Sequence, residues 1–369
     1  MNVLRPLCFS VVSLAVSLPC AAQPEPGSTP TRPLRPVHTF SIVARDPATG
    51  ETGAAVQSHW FAVGADVIWA EAGVGAVATQ SFIDPSYGPL GLASMRAGRS
   101  APEALRGLLA ADPNRNVRQV AMIDSLGRVA AYTGTKDIQA AGDIVGPART
   151  GERPGLRPST DPEDGWIHVG QDFSAEANLM GNDKVWPAMA RAFQGAKGDL
   201  AERMLAALDA AQAAGGDIRG RQSAAIIVVK ATSSGKPWAD RVFDLRVDDA
   251  DQPIQELRRL VALQRAYNHM NAGDAAVEHQ DNEGALREYA AAEEIAAKTE
   301  GVLPSRLAEM MYWHAVALAT MGRVEESLPI FKKAFALQPT WRELTPRLPK
   351  AGLLPDDPKL IERILAQGK

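Results

Sequence analysis

The chain is 369 residues long, 46% hydrophobic and 22% charged, with 39 basic against 43 acidic side chains and a formal net charge of −4. That length exceeds one ordinary core and predicts two domains. The mild acidity, with no basic patch or tail, excludes a nucleic-acid partner. After the first residues no apolar run approaches the roughly 18 residues a membrane helix needs, so no membrane span is expected.

Residues 1–22 carry Arg5, an apolar run from Pro6 to Leu18 and the small-residue end Cys20-Ala21-Ala22. This is the pattern of a secretory signal peptide cut after Ala22, and it predicts export across the inner membrane to the periplasm. A lipoprotein signal at Cys20 is the alternative, but Pro19 stands where a small residue is expected. Cys8 and Cys20 both fall in this leader. The exported protein therefore has no thiol for a disulfide, thiolate catalysis or a cysteine metal site. Residues 23–38, QPEPGSTPTRPLRPVH, offer prolines and little to bury, which predicts an extended linker. It is either a spacer that stays attached or a propeptide removed at His38–Thr39.

From Thr39 the run TFSIVARD predicts a strand to Asp46, a turn over 47–52 with Pro47 and Gly50, and a return strand over 53–58. Threonine is an ordinary strand residue. As a free N-terminus it would be more than that, because an α-amino group with a pKa of about 7.7–8.0 is partly neutral near pH 7. It can take the proton of its own hydroxyl, usually through a water, so that one residue supplies nucleophile and base.

Further on, Ser100-Ala-Pro-Glu103 is a capping box ahead of a helix to about Ala111, and 118–124 with 127–134 reads as a hairpin. Helical patterns follow at 183–194 and 199–214, then strands at 223–230 and 240–247. Strands and helices in separate runs favour stacked layers over a parallel βαβ sheet. From about Pro253 the composition shifts to alanine-rich helix. Ala272-Gly273, Ala285, Tyr289 and Ala292 fall at the offsets of a tetratricopeptide (TPR) repeat, which Gly322, Ser327, Phe331, Ala334 and Pro339 repeat. Two repeats need support, here expected from a helix at 253–270 and from the preceding domain.

Several landmarks together resemble an uncharacterised bacterial family with an N-terminal-nucleophile (Ntn) hydrolase-like core, the domain of unknown function 1028, over about Thr39 to Leu260. They are FSIVARD, FAVGADVIWAEAGVGAVATQS, YGPLGL at 87–92, RQVAMID and GRVAAYTG, ANLM at 177–180, GGDIRGRQSAA at 215–225 and DLRVDD at 244–249. The resemblance implies a four-layer αββα sandwich over 39–252, and with the all-α TPR-like domain read from the repeat offsets over 253–369 the chain is expected to be α+β. In relatives beginning Met-Thr-Phe-Ser, loss of the initiator methionine exposes the threonine. Here His38 and a leader precede Thr39, so exposure needs a second cleavage.

The same resemblance makes Thr39 the nucleophile and Ser58 or His59, at the end of the return strand, its supporting groups. A histidine at a strand end is also a common surface residue. Gln80, in Thr79-Gln80-Ser81, is placed to hold a substrate carbonyl or the amine, or else it starts a turn. Asn178 is the expected oxyanion donor, or alternatively the cap of a helix beginning near Asn182. Relatives read Gln-Gly-Asn where this chain has Glu176-Ala177-Asn178. In the glycine-rich stretch 215–223, Asp217 is placed to recognise a substrate amine and Arg219 or Arg221 a carboxylate, unless the stretch is a solvated turn. It lacks the Gly-Lys-Ser/Thr ending of a phosphate loop. Asp248, Asp249 and Asp251 lack EF-hand spacing and the six histidines form no zinc pattern, so neither metal nor cofactor is expected.

Two functions fit. One is an exported Ntn-type hydrolase that cleaves a small amide or peptide through Thr39; the other is a non-catalytic periplasmic scaffold that docks a protein or peptide partner on its TPR-like helices. Self-association into a homo-oligomer is compatible with either.

Overall fold

The computed structural model describes residues 38–147, 155, 156, 158 and 164–368. The signal peptide expected over 1–22, and residues 23–37 of the expected linker, lie outside these. The chain opens with β1 (Thr39–Arg45), β2 (Thr52–Ser58), β3 (Ile68–Glu71) and β4 (Gly75–Ser81), then α1 (Tyr87–Arg96) and α2 (Ala101–Ala111). Next come β5 (Arg118–Asp124), β6 (Arg128–Thr133), β7 (Gly142–Val145), β8 (Gly155–Leu156), β9 (Ile167–Gln171) and β10 (Phe173–Ala177). Helices α3 (Val185–Gly195) and α4 (Leu200–Ala213) precede β11 (Ser223–Val229) and β12 (Arg241–Val247). A helical region completes the chain: α5 (Pro253–Glu278), α6 (Asn282–Lys298), α7 (Pro304–Thr320), α8 (Val324–Leu337), α9 (Trp341–Leu344) and α10 (Pro358–Leu365).

The protein is thus a mixed α+β chain with two antiparallel sheets and a C-terminal helical region. One sheet runs β12-β11-β2-β1-β10-β7 and the other β3-β4-β5-β6-β9-β8. The turn after β1 sets the register of the first sheet. Asp46 and Glu51 close it through backbone bonds, and Gly50 takes the left-handed conformation (φ 77°) that the tight return requires. Thr39 thereby stands opposite Ser58, Ser41 opposite Val56 and Val43 opposite Ala54.

The central strand β1 is buried on both faces, which is why it reads as a nearly continuous apolar run. Phe40, Ile42 and Ala44 point to one side, where α3 and α4 supply Val185, Met189, Phe193, Met204, Leu205 and Leu208 at helical spacing, and α5 adds Ile254, Leu257 and Val261. Val43, Ala54 and Val56 point to the other side, against Ala76, Ala78, Ala121, Ile123 and Ala131 of the second sheet. The outer face of the second sheet carries Val77, Val120, Met122 and Tyr132 under α1 and α2. The capping box of α2 is present, with Ser100 and Glu103 bonded reciprocally. Among the described residues no helix is long and apolar enough to cross a membrane.

The helix expected over 253–270 continues to Glu278, so the pair at 272–292 is formed by the end of α5 and by α6. Gly273 is where they cross: a Cβ there would lie 2.8 Å from Cε1 of the buried Tyr289 ring, whose hydroxyl donates to Asp274. The ring cannot yield without losing that bond. Gly273→Val is expected to lower stability by about 1–3 kcal/mol through overpacking, read as a lower denaturation midpoint in a urea melt.

Candidate functional site

The inter-sheet faces change character at one end. Along β1 the inward positions run Val43, Ser41, Thr39; on β2 Ala54, Val56, Ser58; on β4 Ala76, Ala78, Gln80; on β5 Ile123, Ala121, Gln119; on β6 Val129, Ala131, Thr133. Strand pairing lines the polar ends up. In the first sheet Ser223, Ser58 and Thr39 form one row, and Ser41, Glu176 and Asp143 the next; in the second, Gln80, Gln119 and Thr133 form the facing row. Of these, Thr39, Ser41, Ser58, Gln80, Gln119, Glu176 and Ser223 are buried, as is Asn178 just past β10. Burial on this scale demands that each polar group be paired.

Gln119, absent from the sequence-based candidates, is the hub. Its Nε2 donates to the backbone carbonyls of Ala177 (3.0 Å) and Gly142 (3.2 Å) and to Thr133 Oγ1 (2.9 Å). Carbonyls only accept, so the Gln119 amide has one orientation and its Oε1 must accept from Gln80 Nε2 (2.6 Å) and Asn178 Nδ2 (2.8 Å). Gln80 therefore turns its oxygen to Ser41 (2.7 Å) and its NH2 also towards the Thr39 carbonyl (3.5 Å). The single hydroxyl proton of Ser41 goes to Gln80. The contact of Ser41 Oγ with Glu176 Oε1, also 2.7 Å, is then satisfied only by a proton on Glu176. Burial pushes Glu176 up to about 8, against the lowering effect of its bonds to Ser41 and Ser174, which agrees with a neutral carboxylic acid at pH 7.

The other end of the row reaches the surface. Thr133 donates to Asp143 (2.6 Å), whose second oxygen meets His168 Nδ1 at 2.6 Å. The Asp143 hydrogen bond raises the His168 pKa. Beside Gln80, Ser81 donates to Asp137 (2.7 Å), and burial pushes Asp137 up to about 7.

Around the His38–Thr39 peptide the expected residues sort themselves. The His38 carbonyl oxygen accepts from Ser58 Oγ (2.6 Å) and Arg219 Nη2 (2.7 Å), and the Thr39 carbonyl from the Asn178 N–H (3.1 Å). Asn178 caps no helix. Its NH2 donates to Gln119, which fixes the orientation of the amide, and Oδ1 faces the His38 ring at 2.8 Å, so towards His38 the side chain presents an acceptor where an oxyanion donor was expected. Asp217 spends both oxygens on Arg219 and on the His59 N–H, which leaves it holding the guanidinium instead of awaiting a substrate amine. Arg219 points at a peptide carbonyl where a carboxylate was expected. Arg221 is directed away, to Gln252 at the start of α5. His59 is exposed and joins the cluster through its backbone, while its side chain lines a cavity of about 800 Å³ with His38, Trp60, Phe61, Leu179 and Arg219. Among the described residues no group of three or more His, Cys, Asp or Glu is arranged to hold a metal ion.

Residues 39–151 and 160–257 match the model of a family of unknown function, DUF1028. The chain belongs to that family. A crystal structure of a DUF1028 protein from Silicibacter pomeroyi is 30% identical, with the alignment covering 60% of this chain and 87% of that one at a TM-score of 0.47. No curated protein matches. The DUF1028 match opens at Thr39, which stands in the row with Ser58 and Ser223.

The neutral state of Glu176 has a measurable consequence. A carboxyl whose pKa is raised on folding contributes stability that is complete below the unfolded value near 4.5 and declines as pH rises towards about 8, at a slope of at most ~1.4 kcal/mol per pH unit. Glu176→Gln supplies an amide donor of the same shape and removes the titration. The variant is expected to lose less stability than wild type between pH 5 and pH 8, compared by urea melts at the two pH values.

Proposed function

We propose that the chain is an exported, periplasmic hydrolase of the Ntn type that cleaves an amide bond through Thr39 as N-terminal nucleophile. The observation that carries this reading is the pair of donors, Ser58 Oγ and Arg219 Nη2, on the carbonyl oxygen of the peptide bond that joins His38 to Thr39. Two donors within 2.7 Å polarise that carbonyl and stabilise the negative charge that grows on its oxygen when the carbon is attacked. The start of the family match at Thr39 supports the same residue. The stacking of α3 and α4, two sheets, and α1 with α2 supports the four-layer αββα arrangement expected of such enzymes. The crossing at Gly273 and Tyr289 supports TPR-like packing of the helices that follow.

The chemistry balances without a cofactor. In the uncut chain the Thr39 hydroxyl oxygen attacks the His38 carbonyl carbon, and the C–N bond breaks. The threonine nitrogen takes the hydroxyl proton, which leaves an ester. Water hydrolyses the ester, releasing a leader that ends in the His38 carboxylate and a chain that begins with a free amine and hydroxyl. On an amide substrate the freed amine takes the hydroxyl proton, passes it to the departing nitrogen, and then activates the water that resolves the acyl-enzyme. Ser58 and Arg219 hold the oxyanion at each attack. Asp217 holds Arg219.

Intact mass of the protein from the exported fraction tests this. The wild type is expected to begin at Thr39, Thr39→Ser to be processed slowly, and Thr39→Ala to retain the 38–39 bond. Ser58→Ala is expected to slow processing by about 10²-fold. A wild-type chain beginning at Gln23, or a Thr39→Ala chain cut at the same bond, would overturn the reading.

A further inference from the structure

We propose that the acyl side of the substrate site selects a side chain with a hydrogen-bond donor four bonds from the scissile carbonyl carbon, which among natural acyl groups means histidyl and asparaginyl amides. The inference rests on the Thr39 hydrolase reading and deepens it. In the uncut chain His38 occupies the position of the group to be transferred, since its carbonyl is the one held by Ser58 and Arg219. Its side chain therefore marks the acyl subsite. His38 is 1% exposed, and its ring stands at 87° to Phe82 with centroids 6.3 Å apart and meets Asn178 Oδ1 through Nδ1 at 2.8 Å.

What the subsite demands follows from the amide chain behind it. Ala177 and Gly142 carbonyls orient Gln119, Gln119 accepts from the Asn178 NH2, and Asn178 therefore turns its oxygen to the subsite. That oxygen belongs to a fully buried residue, so any occupant lacking a donor leaves it unpaired. A carboxylate occupant is worse, because two acceptors then face each other. Burial, with the Arg219 charge beside it, holds His38 below the ordinary imidazole pKa against the opposing effects of Asn178 and Asp217, so the occupant is recognised as a neutral Nδ1–H donor. Path length sets the rest. Histidine Nδ1 and asparagine Nδ2 both stand four bonds from the carbonyl carbon; glutamine places its donor one bond too far. His38 also lines the cavity bounded by Trp60, Phe61 and Leu179, which offers room for an N-acyl cap.

The test uses the full exported chain with position 38 varied and, separately, the processed wild type on N-acetylated aminoacyl p-nitroanilides. His38→Asn is expected to be processed within about threefold of wild type, and His38→Leu and His38→Asp about 100-fold more slowly. The processed enzyme is expected to favour the histidyl and asparaginyl anilides over the leucyl, aspartyl and glutaminyl ones by a similar factor in kcat/KM. The anilide arm does not depend on the folding of any variant. Equal rates across the acyl series would overturn the subsite and leave Thr39 catalysis standing. Failure of the wild type to appear with Thr39 as its first residue would remove both.

Discussion

The whole site depends on one constraint: amide and hydroxyl side chains placed between two packed sheets have no water to pair with, so each must be satisfied by another and every orientation becomes fixed. Gln119 transmits that constraint. Backbone carbonyls from Ala177 and Gly142 set its NH2, and from there Gln80, Asn178, Ser41 and the proton on Glu176 follow in turn. No member can rotate alone. A rigid polar layer of this kind costs stability compared with an apolar one, and it lies where the DUF1028 match begins.

The apolar half of the same interface supplies the compensation. Alanine, valine and isoleucine fill the space between the sheets, with Ala54, Ala76, Ala78, Ala121, Ala131 and Ala225 among them, while the larger Phe40, Met189, Phe193 and Leu205 fill the layer under α3 and α4. Small side chains bring the sheets close enough for Ser41 on one to reach Gln80 on the other. Packing and polar contact are therefore a single geometric fact. The helical region is tied to this body, because Ile254, Leu257 and Val261 of α5 complete the core over the first sheet.

Much of this was legible in the residues. The β1–β2 hairpin, the capping box of α2, the β5–β6 hairpin, α3, α4, β11 and β12 all announce themselves through local pattern, because caps, turns and periodicity act over a few positions. The strand β10 did not. FSAEA carries serine and glutamate on its inward face, and polarity there imitates a loop; only its position between β1 and β7 makes it a strand. Gln119 was missed for a similar reason. A glutamine in RQVAMID looks like an ordinary outward residue of an alternating strand, and its importance comes from three partners 14, 23 and 58 positions away.

The sequence by itself determined that a threonine heads the first strand, that the chain belongs to mixed α+β architecture with helices at its end, and that Ser58 lies beside Thr39, since a short hairpin fixes its own register. Tertiary structure decided what those residues face. Asn178 became an acceptor, Asp217 a clamp for Arg219, and Arg219 a donor to the His38 carbonyl. The Asp217–Arg219 pair is local, but Asn178 and Arg219 meet His38 from 140 and 181 positions away, and no local spacing encodes that partner.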